Sequence, residues 1–159
     1  MSRQNIHATG LVLDDIGIIL RGPSGAGKSL LALQLIDAWE ARGRPALLVS
    51  DDRVEIEATT QGLVMSAPAA IAGLIELRGR GIVERPFVGS APLHLVVDLV
   101  DGLERMVEDD ALVTSLLGVR LARAPVPRAG SIDSAHQLML IHEALRALRP
   151  VATGPKKSA

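Results

Sequence analysis

Apolar and polar residues alternate in blocks along the first part of the chain, and these blocks predict strand, loop and helix in succession. The segment LVLDDIGIILRG, residues 11–22, is apolar on both sides of Asp14-Asp15, which predicts two short strands joined at that acidic pair. Residues 28–42, KSLLALQLIDAWEAR, are rich in strong helix formers and predict a helix that stops at Gly43. A glycine-rich segment therefore lies between a predicted strand and a predicted helix.

The middle of the chain predicts further strands. Residues 46–49 are uniformly apolar, as in a buried strand. Apolar and acidic residues alternate over residues 54–58, which predicts a half-exposed strand that pairs with residues 62–67 through a tight turn. The segment LHLVVDLV, residues 93–100, predicts a second buried strand that carries Asp98. Strands and helices thus alternate as in an α/β fold.

A second helix is predicted near the carboxyl end. Ser134 and Gln137 have the spacing of a capping box. The helix then carries an apolar stripe, which predicts a core or oligomer contact rather than an active site, at Leu138, Ile141, Leu145 and Leu148. We expect one domain over residues 1–150, followed by a flexible tail over residues 151–159.

Composition excludes several classes of protein. The chain has 159 residues and a formal net charge of -1, which fits one ordinary domain without a general bias toward nucleic acid or anionic membrane. It has no cysteine, so disulfides, zinc–thiolate sites and thiol catalysis are excluded. Asp14 and Asp15 interrupt the apolar run that a signal peptide would need, and no stretch approaches the roughly 18 apolar residues of a spanning helix. The expected location is cytoplasmic.

The glycine-rich segment, GPSGAGKS, fits the phosphate-binding pattern GxxxxGK[ST]. In that pattern, backbone N–H groups of the turn and of the helix start converge on phosphates, and the helix dipole adds positive potential. Lys28 is the only lysine outside the tail residues Lys156 and Lys157, and a compact ammonium suits a crowded phosphate. The predicted nucleotide-binding residues are Gly22, Pro23, Ser24, Gly25, Ala26, Gly27, Lys28 and Ser29.

Acidic residues follow both buried strands. Asp98 and Asp101 fit the carboxylate that often holds magnesium-bound water in phosphate-loop enzymes, but a single acid after an apolar run is common. Asp51 and Asp52 form a more specific signal. Two adjacent carboxylates at a strand end repel each other, which favours a setting where a cation or a transferred proton relieves them.

A charge-dense segment, IELRGRGIVERP, occupies residues 75–86. Its glycines, Gly79 and Gly81, flank Arg80 and predict a flexible loop between apolar stretches. Such a loop could fold over phosphates or contact a protein partner, and an ordinary solvated turn is the alternative.

Together these segments resemble the catalytic domain of HPr kinase/phosphorylase, in particular the shortened form of alphaproteobacteria. The resemblance rests on the Ile6-His7 pair, the G-x-S-G-x-G-K-S loop, DDRVEI after the first buried strand, and ELRGRGI, in the family's order. It covers about residues 6–148. The fold that it implies is an α/β, P-loop-containing kinase domain with a mixed central sheet and flanking helices.

The resemblance also implies a reaction and partners. The expected activity is transfer of the ATP γ-phosphoryl group to a serine of the phosphocarrier protein HPr, with phosphorolysis of the product by inorganic phosphate, in regulation of the phosphotransferase system. The implied cofactors are ATP and Mg²⁺. The implied assembly is a homo-hexamer, without a nucleic-acid or membrane partner.

The resemblance assigns roles to individual residues. Lys28 would contact the phosphates, and Ser29 and Glu76 would bind magnesium. Asp52 is the preferred general base, with Asp51 close behind. Two further catalytic candidates come from position in the family pattern, His7 and Arg105. The stretch PVPRAGS, residues 125–131, is the nearest match to a family segment that affects dephosphorylation, although a plain loop before a helix is equally compatible with it.

Two other classes of function remain open. A small-molecule P-loop kinase would share the loop, but it would need a lid and a substrate pocket of its own, and ELRGRGI has no role in such enzymes. An ATP-binding regulatory module would sense or slowly hydrolyse the nucleotide and would tolerate loss of the aspartate pair.

Overall fold

The computed structural model of the protein describes residues 2–148, so the predicted tail lies outside the described residues. A six-stranded mixed sheet forms its centre, in the order β11-β12-β10-β3-β2-β4. The strands are β2 (Ala8–Leu13), β3 (Ile16–Arg21), β4 (Ala46–Ser50), β10 (Leu95–Val100), β11 (Val113–Leu116) and β12 (Val119–Pro127). β10 runs parallel to β3 and β12, whereas β2 is antiparallel to both β3 and β4.

Two helices cover one face of this sheet. They are α1 (Lys28–Ala41) and α2 (Ser134–Leu148). Their apolar residues share one core cluster with the inward-facing side chains of the sheet, and Trp39 of α1 is among the largest side chains fully buried there. Ile141 and Leu145 of α2 belong to the same cluster, so the predicted apolar stripe is a core contact.

A second, four-stranded antiparallel sheet covers the opposite face. Its order is β1-β5-β6-β9, with strands β1 (Arg3–Ile6), β5 (Val54–Thr59), β6 (Gly62–Ser66) and β9 (Ser90–Pro92). Its buried side chains and those of the central sheet form a separate core cluster. The two sheets approach closely at Gly17, where a Cβ atom would lie only 1.7 Å from the carbonyl oxygen of Pro92. Only glycine fits there.

The remaining secondary structure of the described residues is a two-stranded hairpin and two short 3₁₀ turns. The hairpin pairs β7 (Leu74–Leu77) with β8 (Gly81–Glu84), and the 3₁₀ turns span Ala69–Ile71 and Asp109–Leu112. The flexible loop predicted over residues 75–86 is therefore largely an ordered hairpin. Its tight turn uses positive φ angles at Gly79 and Gly81, which explains the glycines that suggested a loop.

The α/β architecture and most elements agree with the prediction from sequence. The strand–turn–strand over residues 11–22, the helix from Lys28 and the pairing of β5 with β6 are confirmed. No helix within residues 2–148 has the length and apolar character that crossing a membrane requires.

The capping box predicted for α2 is wrong. The side chain of Asp133 caps the helix, because its Oδ1 accepts a hydrogen bond of 2.9 Å from the backbone N–H of His136. Ser134 is the first helical residue. Gln137 is buried and its Nε2 donates to the carbonyl of Pro127 at 2.8 Å, so its side chain joins α2 to β12 instead of reaching back to the cap.

Candidate active site

The predicted phosphate-binding loop connects the end of β3 to the start of α1. Gly25 and Gly27 have φ angles of 85° and 95°, a left-handed conformation that glycine adopts without strain. Gly27 immediately precedes α1, and the first turn of that helix contains no acidic residue. No acidic residue of the first turn therefore opposes the positive potential at the helix start, which suits a phosphate.

Lys28 is held inside this loop. The residue is only 7% exposed, and its Nζ donates to the carbonyl oxygens of Gly22 at 2.8 Å and Pro23 at 3.2 Å. Both acceptors are neutral carbonyls, so neither bond pairs the ammonium with a carboxylate. One donor and the full charge are thus available to an anion.

Asp51 follows β4 and links three elements. Its Oδ1 accepts hydrogen bonds from Ser29 Oγ at 2.7 Å and from Thr9 Oγ1 at 3.0 Å. Its Oδ2 accepts a longer bond of 3.4 Å from the backbone N–H of Glu76. Asp51 therefore joins the loop–helix junction, strand β2 and the β7–β8 hairpin at one point.

Asp52 points into different surroundings from its neighbour. It has a φ angle of 70°, in the left-handed region that aspartate tolerates better than most residues. Its side chain is 73% exposed, and its Oδ1 lies 3.1 Å from Nε2 of His7, which is itself 57% exposed. The structure thus brings His7 and Asp52 together as an open pair beside the half-buried Asp51.

Glu76 lies on β7 with an exposed side chain at the same cleft. The hairpin that carries it is tied to α1, because Arg85 Nε lies 3.2 Å from Asp37 Oδ1. Gly73, just before the hairpin, has a φ of 77° and leaves room for the ring of Phe87, which a Cβ atom would approach to 2.6 Å. These contacts hold the hairpin beside the phosphate-binding loop.

A cleft of about 840 Å³ connects these residues. Its polar part comes from Lys28, Ser29, Asp51 and Asp52, and its apolar part includes Pro68, Ile71, Leu74 and Ile82. The size is within the range of nucleotide and cofactor sites. The predicted loop residues Ser24, Gly25 and Gly27 also line it.

The donor set fits a magnesium ion that is held jointly with a nucleotide. Residues 2–148 contain no cluster of three or more His, Asp and Glu side chains arranged for a metal. Mg²⁺ ordinarily keeps several waters and takes one or two protein ligands plus substrate phosphates. The hydroxyl of Ser29 and the carboxylate of Glu76, both at the cleft, are compatible with that coordination preference.

Other candidate residues lie elsewhere. Arg105 is exposed in the segment after β10 and is not among the residues that line the cleft, so its catalytic role stays a prediction. Asp101 has a side chain that is 95% exposed, and it lies 3.4 Å from Arg128 Nη1. His94 accepts a hydrogen bond of 2.9 Å at Nδ1 from the backbone N–H of Gly17, which is a structural contact.

Asp98 belongs to a separate cluster. Its Oδ1 accepts from Arg21 Nε at 2.7 Å and its Oδ2 from Arg123 Nε at 2.6 Å. Burial acts to raise the pKa of Asp98, but the hydrogen bonds and charges of the two arginines outweigh it and the pKa is lowered from the model-peptide value of 3.8. Asp98 is thus neutralised by its neighbours and is not among the residues that line the cleft.

Sequence reasoning missed Thr9. This residue lies in the apolar strand β2 and lines the cleft through its contact with Asp51. The available signal was a single hydroxyl in the otherwise apolar run of β2, two residues after His7. Its partner is 42 positions away, and local spacing does not connect the two.

The phosphate-binding loop at the start of α1, together with carboxylates at the end of a neighbouring strand, defines a P-loop α/β protein with a nucleotide-type site. The chain belongs to the HPr Serine kinase C-terminal domain family, whose sequence model matches residues 1–127. This membership confirms the family resemblance, and with it the predicted class of fold.

Individual relatives agree with the family. HPr kinase/phosphorylase of Levilactobacillus brevis is 34% identical over 112 residues, which cover 68% of this chain and 34% of that protein. HPr kinase/phosphorylase of Clostridium acetobutylicum is 38% identical over 127 residues, covering 76% of this chain and 40% of that protein. The chain thus spans between a third and two fifths of the length of these curated relatives.

A solved structure shares the architecture. The Hpr(Ser) kinase/phosphatase from Coxiella burnetii matches with a TM-score of 0.71 and 31% sequence identity, covering 91% of this chain and 89% of that one. The mixed sheet with its flanking helices is therefore that of an HPr kinase catalytic domain.

Proposed function

We propose that this chain transfers the γ-phosphoryl group of ATP to a serine of the phosphocarrier protein HPr, and that it also catalyses the reverse phosphorolysis. The family and the HPr kinase/phosphorylase relatives support this reading. One structural observation carries the proposal further. The adjacent acids Asp51 and Asp52 have different partners, and this difference supports a division of labour between metal binding and proton transfer.

Asp51 fits the metal side of the site. Its carboxylate is bonded to the Ser29 hydroxyl, which therefore donates its hydrogen to Asp51 and keeps its oxygen lone pairs for another partner. Ser29 and Glu76 would hold Mg²⁺ together with the nucleotide phosphates. When bound, that ion would neutralise charge that develops on the phosphates.

Asp52 fits the role of general base. A serine hydroxyl must lose a proton as its oxygen attacks phosphorus, and an accessible carboxylate can accept that proton. Asp52 is the exposed member of the pair, so an incoming protein side chain can reach it. His7, 3.1 Å away, orients the carboxylate. In the reverse direction the protonated Asp52 would return the proton to the serine oxygen.

Lys28 and the start of α1 would bind the transferred group. The ammonium has one donor left after its bonds to two loop carbonyls, and the helix dipole acts in the same direction. The apolar part of the cleft, including Ile82 with 65% of its surface exposed, offers contact area for a protein substrate. By family resemblance, the working form would be a cytoplasmic hexamer.

The decisive experiment incubates the chain with ATP, Mg²⁺ and purified HPr, and follows HPr by intact mass. A gain of one phosphate that is absent from an HPr variant lacking the acceptor serine would support the kinase reaction. Subsequent addition of inorganic phosphate should remove the mark and release pyrophosphate. ATP hydrolysis without transfer to HPr would contradict the proposal and favour a regulatory module, and transfer only to a metabolite would favour a small-molecule kinase.

A further inference from the structure

Thr9 is the only polar side chain in β2, and it is fully buried. Valine has nearly the same shape and would fill a buried strand position without bringing in a hydroxyl. Burying a hydroxyl is costly unless it forms a hydrogen bond. The bond that compensates here goes to Oδ1 of Asp51 at 3.0 Å. The hydroxyl of Thr9 thus contributes a hydrogen bond to Asp51, and packing alone does not require it.

The same oxygen receives a second hydroxyl, that of Ser29 at 2.7 Å. An ionised carboxylate only accepts hydrogen bonds, so Thr9 and Ser29 must both donate. Oδ1 is then fully engaged within the protein. Oδ2 of Asp51 receives one long bond of 3.4 Å from the backbone N–H of Glu76, and remains the less committed oxygen.

The backbone near this contact is irregular. β2 lies between β3, which leads into the phosphate-binding loop, and β4, which leads into the aspartate pair. Between Gly10 and Leu11 its register against β4 shifts, and the partners change from Ser50 to Leu48. Bulges of this kind re-aim side chains and interrupt the ladder. The irregular pairing of β2 with β4 constrains the position of Asp51 less than a regular ladder would. The hydrogen bond from Thr9 therefore helps to fix Asp51.

We propose that Thr9 is a positioning residue for magnesium–nucleotide binding. Its hydroxyl fixes Oδ1 of Asp51, which in turn directs the hydroxyl hydrogen of Ser29 and leaves the Ser29 lone pairs and Asp51 Oδ2 available at the cleft. Without Thr9 Oγ1, the terminal torsion of Asp51 has a broad energy profile and the carboxylate is free to turn. The inference rests on the proposed function only in requiring a magnesium–nucleotide complex in the cleft.

The test measures nucleotide binding without HPr. Calorimetric titration with a non-hydrolysable ATP analogue, across a series of Mg²⁺ concentrations, would compare the wild type with Thr9→Val and Thr9→Ser. Loss of a residue that orients a metal ligand ordinarily weakens metal affinity by about 10-fold or more, so Thr9→Val should raise the required Mg²⁺ concentration by that factor. Thr9→Ser keeps the hydroxyl and should restore the wild-type requirement. Binding in EDTA should be equal in all three.

Thr59→Val is the matched control, because it removes a strand hydroxyl whose hydrogen bonds stay within its own turn: it donates to the carbonyl of Gly62 and accepts from the backbone N–H of Gln61. It should leave the Mg²⁺ requirement unchanged. If Thr9→Val does not fold, Thr9→Cys, whose thiol is a weak donor, takes its place with the same expected shift. An unchanged Mg²⁺ requirement in the folded variant, or a shift that serine does not reverse, would overturn the proposal.

The outcome is separable from that of the proposed function. If the wild type fails to phosphorylate HPr while Thr9→Val still shifts the Mg²⁺ requirement, the positioning role stands and the HPr reaction is wrong. If HPr is phosphorylated and the Mg²⁺ requirement does not shift, only the positioning role is wrong. Absence of any nucleotide binding by the wild type would contradict both.

Discussion

Two charged regions of the central sheet differ in where their hydrogen bonds go. Beyond the ends of β3 and β4, Lys28 donates to two neutral carbonyls, and Asp52 is open to solvent beside His7. Around β10, Asp98 is bonded to both Arg21 and Arg123. The first region keeps charge available for a ligand, whereas the second satisfies its charges internally.

The difference shows why an acid after a buried strand is a weak functional signal. Asp98 and the Asp51-Asp52 pair follow similar apolar runs, yet only the latter line the cleft. Arg21 immediately precedes the phosphate-binding loop, so the closed cluster around Asp98 also anchors the base of that loop. We expect substitutions in the open region to affect turnover and those in the closed region to affect stability.

The largest effect is expected for Asp52→Asn. The amide cannot accept the serine proton, and general-base catalysis typically contributes about 10²–10⁴-fold, so phosphorylation of HPr should slow by about 10³-fold. Because the side chain is largely exposed, the unfolding free energy should change little. Steady-state rates and urea unfolding would measure the two quantities. Retention of full turnover would remove Asp52 from the role of base.

Lys28→Met should have the next largest effect. Methionine preserves the buried stem of the side chain but removes the ammonium, and loss of one preorganised electrostatic contact costs about 10²-fold or more in turnover. The measurement is kcat with saturating HPr, together with nucleotide affinity. A control at Arg146, which is exposed and pairs with Glu143 on α2, should retain the wild-type rate as Arg146→Met. Equal losses in both variants would argue against a specific role for Lys28.

Asp98→Asn should lower the stability of the fold more than the turnover. It leaves Arg21 and Arg123 without a negative partner in a setting where all three side chains are at most 27% exposed. Breaking a buried ion pair costs about 3–5 kcal/mol, and partial exposure reduces the expected loss of unfolding free energy to about 2–3 kcal/mol. Urea unfolding would measure it. A catalytic defect without a loss of stability would instead place Asp98 in the functional site.

Elements that depend on residues close together in the chain could be predicted from the sequence, whereas elements that depend on distant partners could not. The phosphate-binding loop and α1 depend on neighbours in the chain, so motif and helix propensity were enough to find them. Strand β1, RQNI, is polar and was missed, because its pairing depends on β5 and on Arg3 reaching Glu55 and Glu57. Strand β12 was missed because arginines and prolines interrupt its alternation.

For the candidate site, the sequence likewise predicted some residues but not the contacts between them. Residue type indicated the aspartate pair, but the different partners of Asp51 and Asp52 arise from strands that meet only in the folded chain. Thr9 and the arginines around Asp98 depend on contacts over 25 to 77 positions. Such contacts leave no periodic trace in the sequence.

Acid titration tests whether Asp98 stabilises the closed region through its charge. Its pKa is lowered in the folded chain, so the unfolded state takes up protons first as the pH falls. The stabilisation is fully present above the unfolded value, near 3.8, and is lost as the pH falls through the folded pKa. The difference in unfolding free energy between wild type and Asp98→Asn should therefore shrink below that value. A difference that stays constant in urea unfolding from pH 7 to pH 3 would contradict this linkage.

The smallest effect is expected for Asp37→Asn, which tests an exposed ion pair against the closed cluster. Asp37 has a side chain that is 58% exposed and contacts Arg85, which ties the β7–β8 hairpin to α1. Exposed pairs contribute about 0.2–1 kcal/mol, so unfolding free energy should fall by less than about 1 kcal/mol. A double-mutant cycle with Arg85→Gln, measured by urea unfolding at low and high salt, would isolate the pair. Coupling as large as the effect of Asp98→Asn would show that the hairpin, despite its exposure, is held as firmly as the sheet.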